Sequence, residues 1–313
     1  MRVGQNPAKN ITKIPKPKQI TVAVLCYVPF LSGYFQQSLE VLKLCLESIW
    51  KNTDLPYDLL VFDNGSCPET REYLLKSQKQ KQIQYLIFSE KNIGKGGAWN
   101  LIFSGAPGEI IAYCDSDALF YPGWLSACVS VLEVFPNTGM VTARPMRTRE
   151  ELFTSTLKWA EKTHSVRMEK GQIMTYPEFR DFADTMGYPE EKIHQIYKTT
   201  LDYRLRYKGL TAFAGANHFQ FVGWKKVLNQ FVPFNMDKPL GQVQLLDSQM
   251  NEAGYLRLST EKSMVQNMSN HVPRNKATFN TGVGGGFSIK NIPLVKKVLL
   301  KLHDLIFRIY FEK

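Results

Sequence analysis

"IIAYCDSDALFYPGWL", Ile110 to Leu125, decides the fold. A five-residue apolar run ends in two aspartates one residue apart, and Pro122 then opens a helical pattern. Near-continuous apolar runs of this length suit parallel strands covered on both faces. Carboxylates beside a core are costly unless something pairs with them. Asp115 and Asp117 therefore raise the question of what they hold.

Working outward, the same type of run recurs three times upstream: "ITVAVLC" (Ile20–Cys26), "YDLLVF" (Tyr57–Phe62) and "IQYLIF" (Ile83–Phe88). Helical patterns lie between and after them, at Ser38–Trp50, Pro68–Lys76, Gly97–Phe103 and Gly123–Phe135. The first carries Leu39, Leu42, Leu46 and Ile49 on one face. Proline suits the first turn of the last. The order β-α-β-α-β-α-β-α predicts an α/β fold, a doubly wound and mostly parallel sheet with helices on both faces. Such sheets bind ligands beyond the carboxyl ends of their strands. The polar residues fall there: Tyr27 and Pro29, then "DNGS" (Asp63–Ser66), then "SEKNIGKGGAWN" (Ser89–Asn100), then "DSD" (Asp115–Asp117).

Two carboxylates at i and i+2 off a strand end can surround one hard cation, with Ser116 between them. Magnesium takes one or two carboxylates plus waters and phosphates. The plainer alternative is a capped turn at Asp115 and a solvated Asp117. Asp63 can accept a hydrogen bond from a nucleobase N–H, while Asn64 and Gly65 make the turn; the alternative is an Asx turn. In "KNIGKGGAWN", glycines such as Gly96 let backbone N–H groups approach a ligand, and a helix N-terminus favours phosphate. Asn92, Lys95 and Asn100 join this donor-side set, with Lys95 in solvent as the alternative. The spacing matches neither G-x-G-x-x-G nor G-x-x-x-x-G-K-[ST], which argues against a Rossmann dinucleotide site and a P-loop.

The chain has 313 residues and 44% hydrophobic composition, enough for one large domain or two small ones. A net charge of +11 suits polyanionic partners without choosing among them. Five cysteines, with no C-x-x-C pair, read as reduced packing residues of a cytosolic protein. Asn-x-Ser/Thr triplets at Asn10, Asn64 and Asn267 carry little weight. Lysines from Lys9 to Lys18 before an apolar run mimic a signal peptide. Three prolines and the strand role of Ile20–Cys26 argue instead for a flexible basic arm over residues 1–18.

Taken together, "TVAVLCYVPF", "YDLLVFDNGSCPET", "KNIGKGGAWN", "IIAYCDSDALFYPGWL", "FAGANHFQFVGWKKV" and "LLDSQMNEAGYLRLS" resemble the family 2 glycosyltransferases, which have the GT-A fold. The resemblance runs from about Ile20 to Ser259 and is densest up to Arg144. It implies metal-dependent transfer from a nucleotide-diphosphate sugar, with inversion and with Mn²⁺ or Mg²⁺ as cofactor. It assigns base reading to Asp63, the closer metal ligation to Asp117 and the ribose side to Asp115. "FAGANHFQF" then faces the donor sugar and acceptor, which gives Gly215, Ala216, Asn217 and His218 the acceptor side. Inverting transfer needs a base for the acceptor hydroxyl, and Asp247 matches that place, although Leu246 stands where an acidic neighbour is usual. An N-cap is the plainer role for Asp247. His271 is offered as a third metal ligand, with a packing or surface histidine as the alternative.

The expected organisation is a basic arm (1–18), a nucleotide-sugar half (19–145), an acceptor half (146–290) and a basic amphipathic C-terminal helix (291–313). In the middle segment, "LFTSTLKWAEK" and "PEEKIHQIYKTTLDYRLRYKG" read as amphipathic helices. Trp159, Tyr197 and Tyr203 could stack on sugars, but packing is the commoner role of such aromatics. "TGVGGGFSIK" (Thr281–Lys290) reads as a lid or hinge. The last helix has too many charges for a membrane span. It suits an anionic membrane surface, with docking on its own core or a homodimer partner as alternatives. The expected partners are a nucleotide-diphosphate sugar and a glycan, lipid-linked or protein acceptor in surface glycan synthesis, with no nucleic acid. The expected location is the cytoplasm, peripheral on the inner membrane face. Nucleotidyl transfer and a non-catalytic nucleotide-sugar or nucleic-acid binding module are the competing functions. The former lacks a Lys/Arg-rich signature near the first strand, and the latter lacks a nucleic-acid motif.

Overall fold

The computed structural model describes residues 3–237 and 241–273, together with Lys301, Leu302, Leu305 and Ile309. The stretch Thr281–Lys290 and the helix expected over 291–313 otherwise lie outside the described residues.

Four parallel strands form one side of the sheet: β1 (Ile20–Cys26), β2 (Tyr57–Asn64), β3 (Tyr85–Ser89) and β4 (Ile110–Asp115), in the order β3-β2-β1-β4. The helices between them are α1 (Ser38–Asn52), α2 (Pro68–Lys79) and α3 (Gly94–Gly105). A short β5 (Ala118–Phe120) and α4 (Trp124–Val134) follow, then β6 (Thr138–Thr142). The α/β rhythm read from the apolar runs is therefore present, with strand ends shifted by a few residues.

The remaining strands depart from a simple winding. After α5 (Thr154–Lys162) come β7 (Arg167–Gly171), α6 (Tyr176–Ala183), α7 (Glu190–Thr199), β8 (Asp202–Tyr207), β9 (Leu210–Ala214) and β10 (Gln220–Trp224). Then follow α8 (Lys225–Leu228), α9 (Gln242–Glu252), β11 (Leu256–Thr260) and β12 (Val265–Asn267). Strand β10 inserts antiparallel between β4 and β6. The ten-stranded order is β3-β2-β1-β4-β10-β6-β11-β9-β8-β7. Strands β7, β9 and β10 run against the other seven. The expected helix over Pro189–Gly209 is corrected: it stops at Thr199, and "DYRLRY" is a strand paired on both edges. Alternation buries Tyr203 and Leu205 while Arg204 and Arg206 face outward, which is a period of two.

Cores on both faces explain the unbroken apolar runs. Val22, Val24, Leu59 and Val61 pack toward α1 and α4, whose Leu42, Leu46, Trp124 and Leu125 are fully buried. Ala23, Leu25, Leu60 and Phe62 pack toward α3 and α9 with Trp99, Phe103, Leu246 and Met250. Each large apolar side chain so buried contributes about 1.5–3 kcal/mol. Trp159 and Tyr203 serve this packing: Trp159 meets Phe135 and Tyr207, and the Tyr203 hydroxyl donates to Glu150. Tyr197 donates to the Met174 carbonyl and lies under Arg147. Residues 3–18 are exposed throughout. Among the described residues, no helix is long and apolar enough to cross a membrane.

Candidate functional site

The site lies at the carboxyl ends of β1, β2 and β4 and at the start of α3. Strand β4 ends on Asp115, whose N–H donates to the Phe219 carbonyl at 2.8 Å. Its Oδ1 accepts the Tyr113 hydroxyl at 2.5 Å, and its Oδ2 accepts Lys95 Nζ at 2.7 Å. Lys95 Nζ also sits 5.4 Å from the centre of the Trp99 ring and 3.5 Å from the His218 carbonyl. Asp117 is half-buried as a residue, yet its Oδ1 is enclosed without a hydrogen-bond partner. Burial, and then repulsion from Asp115, push its carboxyl up to about 7, against an opposing pull from Lys95. Its carbonyl accepts Met268 N at 2.7 Å, which anchors the strap that follows β12.

A cavity of about 450 Å³ opens here. It collects Tyr27, Asn64, Asn92, Lys95, Asp115, Ser116 and Asp117 from the expected set. Ser269 and Asn270 of the strap face them, and Tyr34 and Phe35 add an aromatic wall. Helix α3 begins at Gly94 rather than Gly97, because Asn92 Oδ1 accepts Gly94 N at 2.8 Å and Asn64 Oδ1 accepts Ile93 N at 3.0 Å. Lys95 therefore stands in the first helical turn, where the helix dipole favours anions.

Four expected donor contacts lie elsewhere. Asp63 is fully buried; it accepts Ser66 N at 3.2 Å and Arg71 Nε at 3.1 Å, while its neighbour Asn64 lines the cavity. The turn alternative thus describes Asp63 in this geometry. Asn100 exchanges both hydrogen bonds with the Phe234 backbone, at 3.0 and 2.7 Å, and so fastens a loop. Gly96 packs α3 on α9: a Cβ there would lie 2.5 Å from Gln242 Cγ. Pro29 is buried beside the cleft wall. Gly65, at φ +86°, makes the sharp turn after β2, and a Cβ would meet Asn92 N and the Lys91 carbonyl carbon at 2.8 Å. Both neighbours are backbone and cannot step aside. Gly65→Ala is expected to cost about 1–3 kcal/mol in thermal unfolding.

Gly215 and Ala216 are built into the interior, and Asn217 is half-buried beside them. Gly215 N donates to the Arg257 carbonyl at 2.8 Å, and Asn217 N donates to Thr142 Oγ1 at 2.7 Å. The His218 side chain is 34% exposed, with its Nδ1 3.7 Å from Asp247 Oδ2. Asp247 is not an N-cap; it lies in the second turn of α9 and is buried. Its Oδ1 is 2.7 Å from Nη2 of Arg257, which is fully buried and also donates to the Leu152 and Ala216 carbonyls. Burial lowers the Arg257 pKa, and Asp247 opposes that shift. Arg257 was missed from sequence; the available signal was a single arginine in the apolar strand "LRLST". His271 is not brought to the aspartates. It is exposed and lines a second cavity of about 530 Å³ with Tyr121, Asp181, Asp184 and Gln266, on the far side of the strap. No three His, Cys, Asp or Glu groups converge as a metal site among the described residues.

The residues present fit a hard divalent cation. They offer oxygen donors at two adjacent carboxylates, one with an enclosed, unpartnered oxygen. The sheet, the strand-end cleft and the paired aspartates together define an α/β protein with a polar cleft at its strand ends.

Glycosyl transferase family 2 matches residues 34–196, just over half of the chain. The chain belongs to that family. An uncharacterized glycosyltransferase of Nostoc sp. is 24% identical over 161 residues, 50% of this chain and 49% of the relative. One from Rickettsia felis is 38% identical over 76 residues, 24% of this chain and 12% of the relative. The chain thus spans half or less of these relatives' lengths. A mannosyltransferase from Pyrobaculum calidifontis, solved with GDP-Man and Mn²⁺, is 16% identical with a TM-score of 0.47, over 80% of this chain and 56% of that one.

Proposed function

We propose that the protein transfers a sugar from a nucleotide-diphosphate donor to an acceptor hydroxyl, with inversion at the anomeric carbon. The carrying observation is the single cavity that gathers an aromatic wall, the Asn64–Asn92 pair, Lys95 and the two carboxylates at strand ends. The nucleoside lies against Tyr27, Tyr34 and Phe35, whose faces suit a flat base. The diphosphate reaches the start of α3, where Lys95 and the helix dipole meet its charge. Asp117 and Asp115 would hold Mn²⁺ or Mg²⁺, which would supply positive charge to a departing diphosphate. The Asp247–His218 pair, whose His218 carbonyl is 3.5 Å from Lys95 Nζ, handles the acceptor proton.

The test is a panel of UDP- and GDP-linked hexoses, each with and without Mn²⁺ or Mg²⁺, read by thermal shift and nucleotide release. At least one donor should raise the melting temperature only when metal is present. At 100 times its dissociation constant the gain is about 2.7 kcal/mol. If no donor shifts melting in either metal, the transferase reading is wrong.

A further inference from the structure

Asp247 is paired with a buried cation and faces an imidazole. Oδ1 lies against the buried Arg257 guanidinium, Oδ2 faces His218, and only 6% of the side chain meets solvent. Little of that carboxylate is open to a substrate. The imidazole beside it is 34% exposed. His218 Nδ1 is enclosed and lacks a hydrogen bond, so the exposed third of the side chain is the edge away from Nδ1. The His218 carbonyl is 3.5 Å from Lys95 Nζ, which in turn holds Asp115. The His218 backbone is thus one lysine head group away from Asp115.

We propose that His218 is the catalytic base and that Asp247 is its positioning residue; this rests on the transferase reading above. The Asp247 carboxylate draws the ring proton onto Nδ1 and leaves the Nε2 lone pair bare. The 3.7 Å separation is long for a hydrogen bond, and such contacts tighten when substrate is bound. As the acceptor oxygen forms its bond to the anomeric carbon, its proton passes to Nε2. The bond from that carbon to the diphosphate oxygen breaks, and the electron pair leaves with the nucleotide. The imidazolium then returns the proton to solvent. Asp247 from α9 faces the ring, Arg257 on β11 lies behind it, and Lys95 from α3 reaches the His218 backbone carbonyl. The Asp247–Arg257 pair is neutral as a unit, so the imidazolium adds one positive charge, carried on a side chain that is 34% exposed.

The first test needs no substrate. In ¹⁵N-histidine-labelled full chain, His218→Gln identifies the His218 signals among the five histidines. Neutral His218 should be protonated on Nδ1 and bare on Nε2, and Asp247→Ala should return it to the Nε2–H form that free histidine favours. A protonated Nε2 in the neutral wild-type ring overturns the proposal. The second test is metal-dependent nucleotide release from the UDP- or GDP-hexose that stabilises the wild type, with water as acceptor. His218→Gln should slow release by about 10²–10⁴-fold while leaving the thermal shift by that donor intact. Asp247→Asn should slow release alone but add little to His218→Gln, as expected of residues acting as a unit. Asp247→Glu should recover part of the loss. Wild-type release by His218→Gln overturns the assignment. Failure of every donor to bind the wild type would sink the transferase reading instead, and the tautomer would still decide the His218–Asp247 pairing.

Discussion

Asp117→Asn is expected to weaken nucleotide-sugar binding in Mn²⁺ by about 100-fold, close to 2.7 kcal/mol. The carboxylate lost carries the enclosed oxygen that faces no protein donor. Asp115 alone is the poorer ligand, because Lys95 and Tyr113 each already bond to one of its oxygens. The metal-free protein gives an independent reading. The folded Asp117 carboxyl is held near 7, far above an ordinary carboxylate. Between about pH 4 and 7 the native chain therefore keeps a proton that the unfolded chain has lost. Native stability from this group is full at the acid end and falls as pH rises through that window. For this partly solvated residue the loss is on the order of 2–3 kcal/mol. In EDTA, the wild-type melting temperature should drop from pH 5 to pH 8, and Asp117→Asn should flatten that slope. Metal added at pH 8 should restore the wild type and leave the variant unchanged. Below about pH 7 the proton competes with the metal, so metal affinity should rise with pH. Equal donor affinity in wild type and variant, with Mn²⁺ present, would remove the aspartates from the donor site.

The second large effect is expected at Arg257. This guanidinium ties three distant segments: the Leu152 carbonyl, the Ala216 carbonyl and the Asp247 carboxylate of α9. Arg257→Leu leaves Asp247 buried and unpaired and should cost about 3–5 kcal/mol. Adding Asp247→Leu removes the stranded charge, and a large part of the loss should return. Urea unfolding of the two single variants and the double variant measures the coupling directly. A single variant within about 1 kcal/mol of wild type would show that the pair is not the interior tie described.

The contrast between these two residues explains what the sequence disclosed. Strands β1, β2 and β4 and their helices were legible because both faces of the sheet are covered there, so apolar character is continuous and local; β3 shows the same run at the sheet edge, where Tyr85 and Phe88 are exposed. Asp115 and Asp117 were legible by their place in that rhythm. Strand β8 was not: Tyr203 and Leu205 bury while Arg204 and Arg206 stay outside, and the same letters also fit a helical face. Its strand state depends on β7 and β9, which pair with it from outside the segment. Strand β10 was equally unreadable as a spacer between β4 and β6, since that register joins residues about a hundred positions apart. Asp63 and Asn64 are neighbours with opposite fates, one inside and one in the cleft, and only the turn at Gly65 decides which. Asn100 looked like a ligand because its polar partner, the Phe234 backbone, is 134 residues away. His271 was placed by its distance along the chain, whereas the strap anchored on Asp117 turns it into the neighbouring cavity.

The five cysteines have a use beyond packing. All are reduced and buried, and burial pushes the Cys26, Cys114 and Cys128 thiols up, away from the reactive thiolate. All also lie within the first 128 residues. Thiol exchange at Cys26, Cys45 and Cys67 therefore records the moments when β1, β2 and the helices on them come apart, whereas Cys128 on α4 also answers to β9 and β11. The molecule carries a built-in clock for one of its halves, and a bound donor that holds that half shut would slow it.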